Sequence, residues 1–389
     1  MRHGEVGRMR RQVLAVIVVL SLFPFSGATA YDFTPGGSLS LSEEYNDNIN
    51  LSRTNRTGDF VTGISPSVYC TLRSAASSLT ASYSPSFSLY KSHDGLNTTS
   101  HAASAQGILN LSEKTGLSFT DTFVLSKELG NLAAVSELGP VRTRTEHRVN
   151  TLNGSLSHKI SGLFAYSLEA GYIDAYAKDA GDRNSKTYSG AMGLTYARGE
   201  RSSLSANAKY TQYDYKSRSD ANSQDYTLAM TYKLSPTLII SASGGTIITE
   251  VQDSGRRSTD FSGGVTLTKQ LNRGNAVLSY RQSVVPGLED GSPLRSRTAG
   301  LRLSRSLTNS MSASVQASYT KFKAVAISGT NADEWRIGAA LAYSVGKWAS
   351  ISLAYNFIKL DDKTNSANGY YNNTALLLLR LNYRGETAK

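Results

Sequence analysis

The chain has 389 residues, a formal charge of +11, 40% hydrophobic residues and only 18% charged residues. The chain has 22 tyrosines and a small fraction of charged residues, whereas a disordered protein has few aromatic residues and many charged ones. Its single cysteine excludes an internal disulfide and a zinc site built on several thiolates. A mean hydropathy of -0.28 argues against a helical membrane bundle, so the composition favours an all-β protein.

The N-terminal segment has the pattern of a secretory signal. Four arginines stand among the first eleven residues, an apolar run extends from Val13 to Phe25, and small residues follow at Ala28 and Ala30. The apolar run is shorter than the roughly 20 residues that a membrane-spanning helix needs. We therefore predict that residues 1–30 are a cleaved signal peptide and that Tyr31 is the mature N-terminus.

The rest of the chain alternates apolar and polar residues with the period of a β-strand. One such segment places Tyr188, Met192, Leu194 and Tyr196 on one face, and serine, threonine and glycine lie between them. Similar rows recur along the chain, with aromatic residues near their ends. Strands that cross lipid have this arrangement, because amphipathic rings lie at the two headgroup levels. A soluble β-sandwich also alternates, but the export signal and the number of similar segments argue against it.

The connections between the segments alternate between short and long. The short ones are predicted near 73–77, 113–116, 157–162, 198–202, 235–237, 272–274, 308–310 and 346–347. The long ones are predicted near 47–57, 93–100, 126–144, 179–186, 217–223, 253–258, 286–294, 326–333 and 360–370. Eight short and nine long connections make seventeen, hence eighteen strands. Short turns on one side and long loops on the other are typical of an outer-membrane barrel, with nine loops outside and both termini in the periplasm.

The sequence therefore predicts a transmembrane antiparallel up-and-down β-barrel over residues 31–389, exported to the cell outer membrane. A barrel of this size encloses a channel rather than a filled core. Strand character begins a few residues after Tyr31, which leaves no room for a plug domain ahead of the first strand. A loop such as 126–144 could still fold inward and narrow the pore.

Two stretches near the N-terminus carry a resemblance to a known family. The stretch from Glu43 to Ile49 reads EEYNDNI, and the stretch from Asp59 to Pro66 reads DFVTGISP. Together they resemble the opening hairpin of an outer-membrane β-barrel family associated with exosortase (PEP-CTERM-type) and exopolysaccharide gene clusters. The resemblance covers about 25 residues, and it implies a barrel that serves surface polysaccharide export, with an anionic polysaccharide and periplasmic export proteins as partners.

The inward register of the barrel is predicted to be basic. If the apolar rows face lipid, the following residues point into the lumen: Lys209, Lys233, Arg281, Arg302, Arg336 and Arg380. Acidic residues on that register are fewer, among them Asp59, Glu169, Asp225 and Glu334. Cationic pore walls concentrate anions and repel cations. We therefore expect a pore for anionic solutes or an exopolysaccharide. The alternative is a structural or adhesive barrel that acts through its outer loops.

No catalytic or metal-binding constellation is evident, so we expect neither an enzyme nor a cofactor. Four histidines follow the signal segment: His93, His101, His147 and His158. Serines are too common for a serine–histidine match to be informative. The oxygen-rich loops 46–48 and 179–184 lack the spacing of a known calcium loop and are interpreted as solvated turns. The expected surroundings are outer-membrane lipid and lipopolysaccharide, and no nucleic-acid partner is expected.

Three local features carry their own expectations. Asp121 shares its register with Leu117, Phe119 and Phe123, so it would face lipid unless a bulge turns it inward; we expect the bulge. Folding about the 73–77 turn brings Pro66 opposite Pro85. Because proline donates no ladder hydrogen bond, we expect a locally weak seam there, with a bulge on at least one strand. Cys70 is expected to lie on the apolar face as a small hydrophobic residue.

Overall fold

The structure is a computed structural model that describes residues 31–128, 139–142, 144–178, 184–216, 219–252, 255–287, 292–325 and 329–384. The described residues form eighteen strands: β1 (Asp32–Asn46), β2 (Asp59–Arg73), β3 (Ser77–Tyr90), β4 (Thr98–Asn110), β5 (Thr115–Ser126), β6 (His147–Lys159), β7 (Phe164–Ala177), β8 (Ser185–Arg198), β9 (Ser202–Tyr215), β10 (Ala221–Ser235), β11 (Leu238–Val251), β12 (Arg256–Leu271), β13 (Gly274–Gly287), β14 (Ser292–Ser306), β15 (Met311–Ala324), β16 (Asn331–Val345), β17 (Ala349–Asp362) and β18 (Tyr370–Arg384).

The strands close into one antiparallel barrel. Each strand pairs with its neighbours in the chain, and β1 closes the ring against β18 from Gly36–Arg384 to Asn46–Thr374. Closure removes the open sheet edge, whose unpaired backbone groups cost several kcal/mol each in lipid. The predicted class and the predicted strand number are both confirmed. The helical elements of the described residues are two three-residue 3-10 turns, Asp94–Leu96 and Ser366–Asn368. Among these residues there is no helix of the length and apolarity needed to cross a membrane.

The outer wall consists of the predicted apolar rows. Met192 and Leu228 keep 63% and 62% of their surface exposed, and Leu353 and Leu377 are also exposed. A water-soluble protein rarely exposes a continuous apolar surface of this kind, whereas an outward apolar band is what lipid contact requires. Tilted rings pack in pairs on this face near both ends of the strands, as in Tyr172–Tyr188 and Phe164–Tyr196, whose centroids are 5.2 and 5.1 Å apart. Cys70 lies on this face as a free thiol.

Two of the predicted long loops are shorter than expected. The connections 252–255 and 288–291 are no longer than the short turn 111–114. A long connection is predicted near 286–294, but Pro286 and Pro293 face each other inside β13 and β14. Both prolines lie close to the strand ends, where a missing ladder hydrogen bond is tolerated. The strands therefore extend further at the end that the sequence predicts to be extracellular, which is called the mouth below.

The expected bulge at Asp121 is wrong. The ladders of β5 with β4 and with β6 run through Asp121 without a register shift, opposite Ala105 and Leu152. Asp121 thus stays on the outer face, half-buried. Its carboxylate accepts a hydrogen bond of 2.8 Å from the Asn150 amide, which shares that face. The hydrogen bond from Asn150 on β6 lets the Asp121 carboxylate remain on the outer face without a bulge.

The seam between β2 and β3 is confirmed, but its bulge is not. The ladder stops at Ile64–Phe87 and resumes at Val68–Tyr83, so the residues around Pro66 and Pro85 are unpaired. The register is the same on both sides of the gap, because 64 + 87 and 68 + 83 both equal 151. Neither strand therefore carries an extra residue. Two proline nitrogens without a hydrogen open the ladder locally without bending it.

A longer gap separates β12 from β13 near the mouth. These strands pair from Leu271–Gly274 up to Gly263–Gln282 and no further, although both continue towards the mouth. Gly263 has a φ of +148°, a backbone conformation that side chains rarely allow, and it marks the point of separation. Side chains replace the ladder above it: the Gln282 amide donates to the Phe261 carbonyl oxygen at 2.8 Å.

Candidate functional site

The candidate site is the barrel interior, which has two levels: the mouth and the lumen beneath it. Loop 3, the connection 127–146 between β5 and β6, crosses the mouth. The Arg142 guanidinium donates to the Asp362 carboxylate at 2.6 Å and to the Thr330 hydroxyl at 3.0 Å. The Tyr370 hydroxyl donates to the Val141 carbonyl oxygen at 3.0 Å. Strand β17, which carries Asp362, lies six positions around the barrel from β5. The described residues at the end of this loop therefore reach across the mouth, a possibility that the sequence left open.

The two ends of loop 3 are also tied to the wall beside them. The Arg144 guanidinium donates to the Glu128 carboxylate at 2.7 Å and to the Tyr90 hydroxyl at 2.9 Å. The Tyr90 hydroxyl in turn donates to Glu128 at 2.9 Å, and the guanidinium lies 4.8 Å from the Tyr90 ring centroid. Charge-assisted hydrogen bonds of this kind are stronger than neutral ones. They fix the points at which loop 3 leaves and rejoins the wall.

Loop 1, the connection 47–58, packs into the mouth from the other side. Ile49 and Leu51 are buried; Leu51 belongs to a cluster with Leu360 and Tyr370, and Ile49 to a cluster with Tyr90. The Asn48 amide donates to the Tyr371 carbonyl oxygen at 2.7 Å. These apolar and amide contacts hold loop 1 against β17 and β18.

Asp47 is the polar anchor of loop 1. Its carboxylate accepts hydrogen bonds from the Asn373 backbone amide at 2.7 Å, from the Asn373 side chain at 2.6 Å and from the Arg56 guanidinium. Partial burial acts to raise the pKa of Asp47, but these hydrogen bonds and the Arg56 charge outweigh it and hold the pKa below its ordinary value. Loop 1 is therefore fastened to β18 by an ionised carboxylate.

The inner wall at the mouth is packed, and buried polar residues such as Ser223 and Thr249 stand among its buried apolar residues. The strand ends there carry inward residues that are at most 5% exposed, on arcs of the barrel far from one another: Val149, Ala175, Tyr213, Val251, Leu294, Phe322, Leu360 and Tyr370. Tyr213, Tyr215, Ala221 and Val251 form one buried cluster. Inward residues buried on so many strands mean that the mouth is filled by side chains and loops, and any solute path through it is narrow.

The lumen beneath the mouth is polar, and the predicted basic residues lie on its register. Each of the six has at least one exposed apolar neighbour on the outer wall, and Arg302 has two, Leu301 and Leu303. Lys209 and Glu169 line one recess of about 300 Å³ with serine, threonine and asparagine side chains. Arg302 and Arg336 line a second recess of about 610 Å³.

Some of these charges are paired and others are not. The Arg336 guanidinium donates to both oxygens of Glu334, at 2.6 and 3.1 Å. Asp225 lies directly opposite Lys209 in the β9–β10 ladder. Arg380 donates to the Ser40 hydroxyl at 3.2 Å. In the part of the chain that the structure describes, no carboxylate lies within ion-pair distance of Arg302, Lys233 or Arg380. Arg302 and Arg380 are exposed to the lumen, and Lys233 is exposed at the end of β10 that lies away from the mouth.

Glycines allow one polar contact to cross a whole strand of the wall. The Ser262 hydroxyl on β12 donates to the Asp225 carboxylate on β10 at 2.8 Å, although β11 lies between them. On β11, Gly245 lies opposite Ser262 and Ile247 lies opposite Asp225, so the contact passes diagonally beside Gly245. A Cβ added at Gly245 would meet the Tyr226 carbonyl oxygen at 1.9 Å. The wall therefore tolerates no side chain at Gly245, and the missing side chain lets Ser262 reach Asp225.

The described residues assemble no recognisable catalytic or metal site. His93 lies in the connection 91–97 between β3 and β4, and its ring Nδ1 donates to the buried Asp59 carboxylate at 2.8 Å. No serine or threonine hydroxyl among the described residues is hydrogen-bonded to the other ring nitrogen of His93, so no nucleophile–base pair forms there. The same residues contain no group of three metal-ligating side chains. The acidic loop 179–183 and the predicted cleavage residues Ala28 and Ala30 lie outside the described residues; Tyr31 is the first described one.

Sequence reasoning missed the residues that fill the mouth. Arg142 and Arg144 were counted as part of a polar loop, and the partners Asp362 and Glu128 were not singled out. A signal was present, because Ile49 and Leu51 are apolar residues in an otherwise polar loop, and Tyr213 and Tyr215 break the polar inner face of β9. Apolar residues on the inward register at one end of a strand indicate packing inside the barrel.

A family model described as "Putative MetA-pathway of phenol degradation" matches residues 151–304, which is less than half of the chain. The matched region runs from β6 to β14 and includes Lys209, Arg281 and Arg302. No curated protein matches this sequence.

Solved structures match nearly the whole chain. Acinetobacter baumannii OccAB4 is 13% identical with a TM-score of 0.50, over 92% of this chain and 99% of that one. Pseudomonas aeruginosa OccK2 (OpdF), solved in complex with glucuronate, is 11% identical with a TM-score of 0.50, over 90% and 98%. The outer membrane protein OpdK from Pseudomonas aeruginosa is 11% identical with a TM-score of 0.47, over 90% and 99%.

At these identities the likeness defines the fold. Together with the apolar outer wall, it places the chain in the class of outer-membrane β-barrels with a porin-like architecture. The exosortase and exopolysaccharide association rests on the resemblance at the N-terminal hairpin alone.

Proposed function

We propose that this protein is a porin-like channel of the outer membrane that passes small organic anions through a basic lumen. The observation that carries the proposal is the unpaired basic charge on the inner wall, Arg302 above all, beneath a mouth that loops 1 and 3 narrow. A cationic wall bounded by lipid raises the local anion concentration, because the low-dielectric surroundings focus its field. Serine and threonine hydroxyls beside Arg302 offer hydrogen bonds to a bound solute.

The comparisons support this choice of solute class. One similar barrel was solved with glucuronate, a small organic carboxylate, and the matched family model is described by the degradation of a small aromatic compound. Polysaccharide export would require a mouth wide enough for a polymer, whereas the buried ring of inward residues favours a small solute. The adhesive alternative needs long outward loops, but loops 1 and 3 fold inward and the connections 252–255 and 288–291 are short.

Reversal potentials across a salt gradient, measured on purified protein in a planar bilayer, test the proposal. The intact protein should prefer anions, and exchange of Arg281, Arg302 and Arg336 for serine together should shift the potential towards cations. A matched control exchanges the pair Glu334→Gln and Arg336→Gln, which leaves the net charge unchanged and should leave selectivity near that of the intact protein. Cation preference of the intact protein would refute the proposal, and absence of any conductance would favour the adhesive barrel.

A further inference from the structure

Four basic residues meet on the outer wall of the barrel near the mouth. Arg295 and Arg297 on β14 lie opposite Lys323 and Lys321 on β15, in two successive cross-strand pairs. All four share the outward register of Leu301 and Val315, and together they alone line a recess of about 180 Å³. The recess is separate from the solute path, because the inward residues of the same strands, Leu294 and Phe322, are buried.

The recess carries positive charge that the protein itself does not neutralise. Arg295 reaches across β13, where β12 and β13 are unpaired, to the Asp260 carboxylate on the inward register of β12. Arg297 donates through Nε to the Gln282 amide oxygen at 2.9 Å. Asp333 faces Lys321 across the β15–β16 ladder but is paired with Lys363. Among the described residues no carboxylate lies within ion-pair distance of Arg297, Lys321 or Lys323. Like charges directly opposite one another destabilise a sheet, so this arrangement calls for an anion from outside the chain.

The depth of the recess places that anion at the lipid headgroups. The next outward row towards the periplasm contains Tyr280, Tyr319 and Trp335, and the last two rings are 4.7 Å apart. Aromatic rows of this kind mark the membrane interface. On the outer face of β14, apolar Ala299, Leu301 and Leu303 separate Arg297 from Arg305, eight residues or roughly 27 Å along an extended strand. That length, reduced by strand tilt, suits an apolar band of about 25 Å.

We infer that this recess binds a phosphate group of an outer-leaflet lipid, the lipid A part of lipopolysaccharide. Arginine forks recognise phosphate oxygens in pairs, and lysines add point charges around them. Asp260 binds one nitrogen of the Arg295 guanidinium, and Gln282 binds one nitrogen of the Arg297 guanidinium. Each guanidinium group therefore keeps further N–H donors for a phosphate. The exposed Leu301, Leu303 and Val315 below the recess offer a surface for the acyl chains of the same molecule. A free phosphate would use the four cations but not this apolar surface.

The position of the recess gives the bound lipid a structural role. Arg295 and Arg297 are tied through Asp260 and Gln282 to the two strands that separate above Gly263. A phosphate that bridges these arginines and the two lysines fixes the side chains that replace the missing β12–β13 ladder. Bound lipid A therefore closes the weakest stretch of this part of the wall.

The test compares lipid A binding to the full-length barrel and to variants, by native mass spectrometry and by thermal unfolding. The double variant Lys321→Gln and Lys323→Gln should bind diphosphorylated lipid A about tenfold more weakly, because two charge-assisted contacts are lost. The control variant Lys186→Gln and Lys359→Gln removes two exposed lysines on outward registers elsewhere and should bind normally. Heat-modified gel mobility verifies that each variant is folded.

The chemical probes separate the sources of the anion. Lipid A stripped of its phosphates should bind both proteins equally weakly, and inorganic phosphate should not displace diphosphorylated lipid A at millimolar concentration. Equal binding by the Lys321/Lys323 variant and the intact barrel, or equal binding of lipid A without phosphates, would overturn the inference. Displacement by inorganic phosphate would also overturn it, since it would identify a site for free anions.

Discussion

The mouth and the lumen use the same inward register for opposite purposes. On β9, Lys209 is exposed to the lumen, whereas Tyr213, four residues nearer the mouth, is 3% exposed. On β16, Arg336 lines a lumen recess, whereas Ala332 at the mouth is fully buried. The inner face of a single strand thus changes from solvated and polar to packed and apolar over four residues.

The difference predicts where substitutions act. Mouth residues are buried, so a change there leaves a cavity or an unpaired charge and lowers the free energy of unfolding. Lumen residues face solvent, so a change there costs little stability and alters which ions pass. Stability and selectivity are therefore carried by different levels of one barrel.

The first prediction tests the comparison by asking on which side of the outer membrane the mouth lies. Epitope tags inserted at Gly329, in a long connection, should be reached by antibodies on intact cells, and a tag beside Gly274, in a short turn, should not. The effect is all-or-none because the membrane excludes antibody from the periplasm. Permeabilised cells, in which both tags should react, serve as the control. The reverse labelling pattern would place the packed mouth in the periplasm. A tag at Gly181 should behave like that at Gly329, although Gly181 lies outside the described residues.

The second prediction concerns the latch of loop 3. Arg142→Ala leaves the Asp362 carboxylate, 2% exposed, without its guanidinium partner. Removing one member of a buried pair costs about 3–5 kcal/mol, so the free energy of unfolding should fall by that order. Loop 3 should also move from the mouth, which raises single-channel conductance.

Arg53→Ala is the matched control for the latch. Arg53 also lies in a loop at the mouth and donates to the Ser366 carbonyl oxygen at 2.7 Å, but this contact is exposed. Its loss should change stability by no more than about 0.5 kcal/mol and leave the conductance unaltered. Equal conductance in Arg142→Ala and in the intact protein would show that loop 3 does not restrict the path.

The sequence was sufficient for the fold because every level of the pattern repeats along the chain. Rows such as Tyr226, Leu228, Met230 alternate over whole strands, and each row independently indicates an outward apolar face. An error in one segment changes neither the class nor the closure. Register was fixed by the same alternation, since a slip by one residue would turn every apolar side chain into the lumen.

The mouth could not be predicted in the same way, because its contacts join residues far apart in the sequence. Arg142 and Asp362 are separated by 220 positions, and no local pattern marks them as partners. The prediction of a bulge at Asp121 was wrong for a related reason. Its hydrogen-bond partner Asn150 lies on the next strand, so the register alone indicated an unpaired carboxylate facing lipid. Local periodicity predicts which face a residue occupies, whereas side-chain pairing depends on closure of the barrel.

The third prediction sharpens the comparison through pH. The pKa of Asp47 is held below its ordinary value in the folded protein, so its contacts contribute stability that is complete above the unfolded value of about 3.9 and is lost as the pH falls through the folded value. The difference in unfolding free energy between the intact protein and Asp47→Asn should be constant at neutral pH and shrink in acid. A difference that does not vary from neutral pH down to about pH 2 would show that the Asp47 charge does not anchor loop 1.

The smallest expected effect concerns the wall of the lumen at Pro66 and Pro85. Two side-chain hydrogen bonds inside the unpaired stretch flank the proline pair: Ser65 Oγ donates to Ser86 Oγ at 2.8 Å, and Ser84 Oγ donates to Ser67 Oγ at 2.7 Å. Exchange of both prolines for alanine supplies two backbone donors, each worth about 1 kcal/mol in a ladder. The lost rigidity of proline costs about 0.4–1 kcal/mol at each position, so the two effects nearly cancel.

The free energy of unfolding of the double alanine variant should therefore lie within about 1 kcal/mol of the intact value. Hydrogen exchange is the sensitive measurement, because the new amides at 66 and 85 should be protected once the ladder is continuous. Pro35→Ala is the matched control: Pro35 faces Cys70 in an unbroken ladder, so its new amide closes no gap. Rapid exchange at both new amides would mean that the strands are held apart by something other than the missing proline donors. In that case the two serine hydrogen bonds on the lumen face would join β2 and β3 at this position in place of backbone hydrogen bonds.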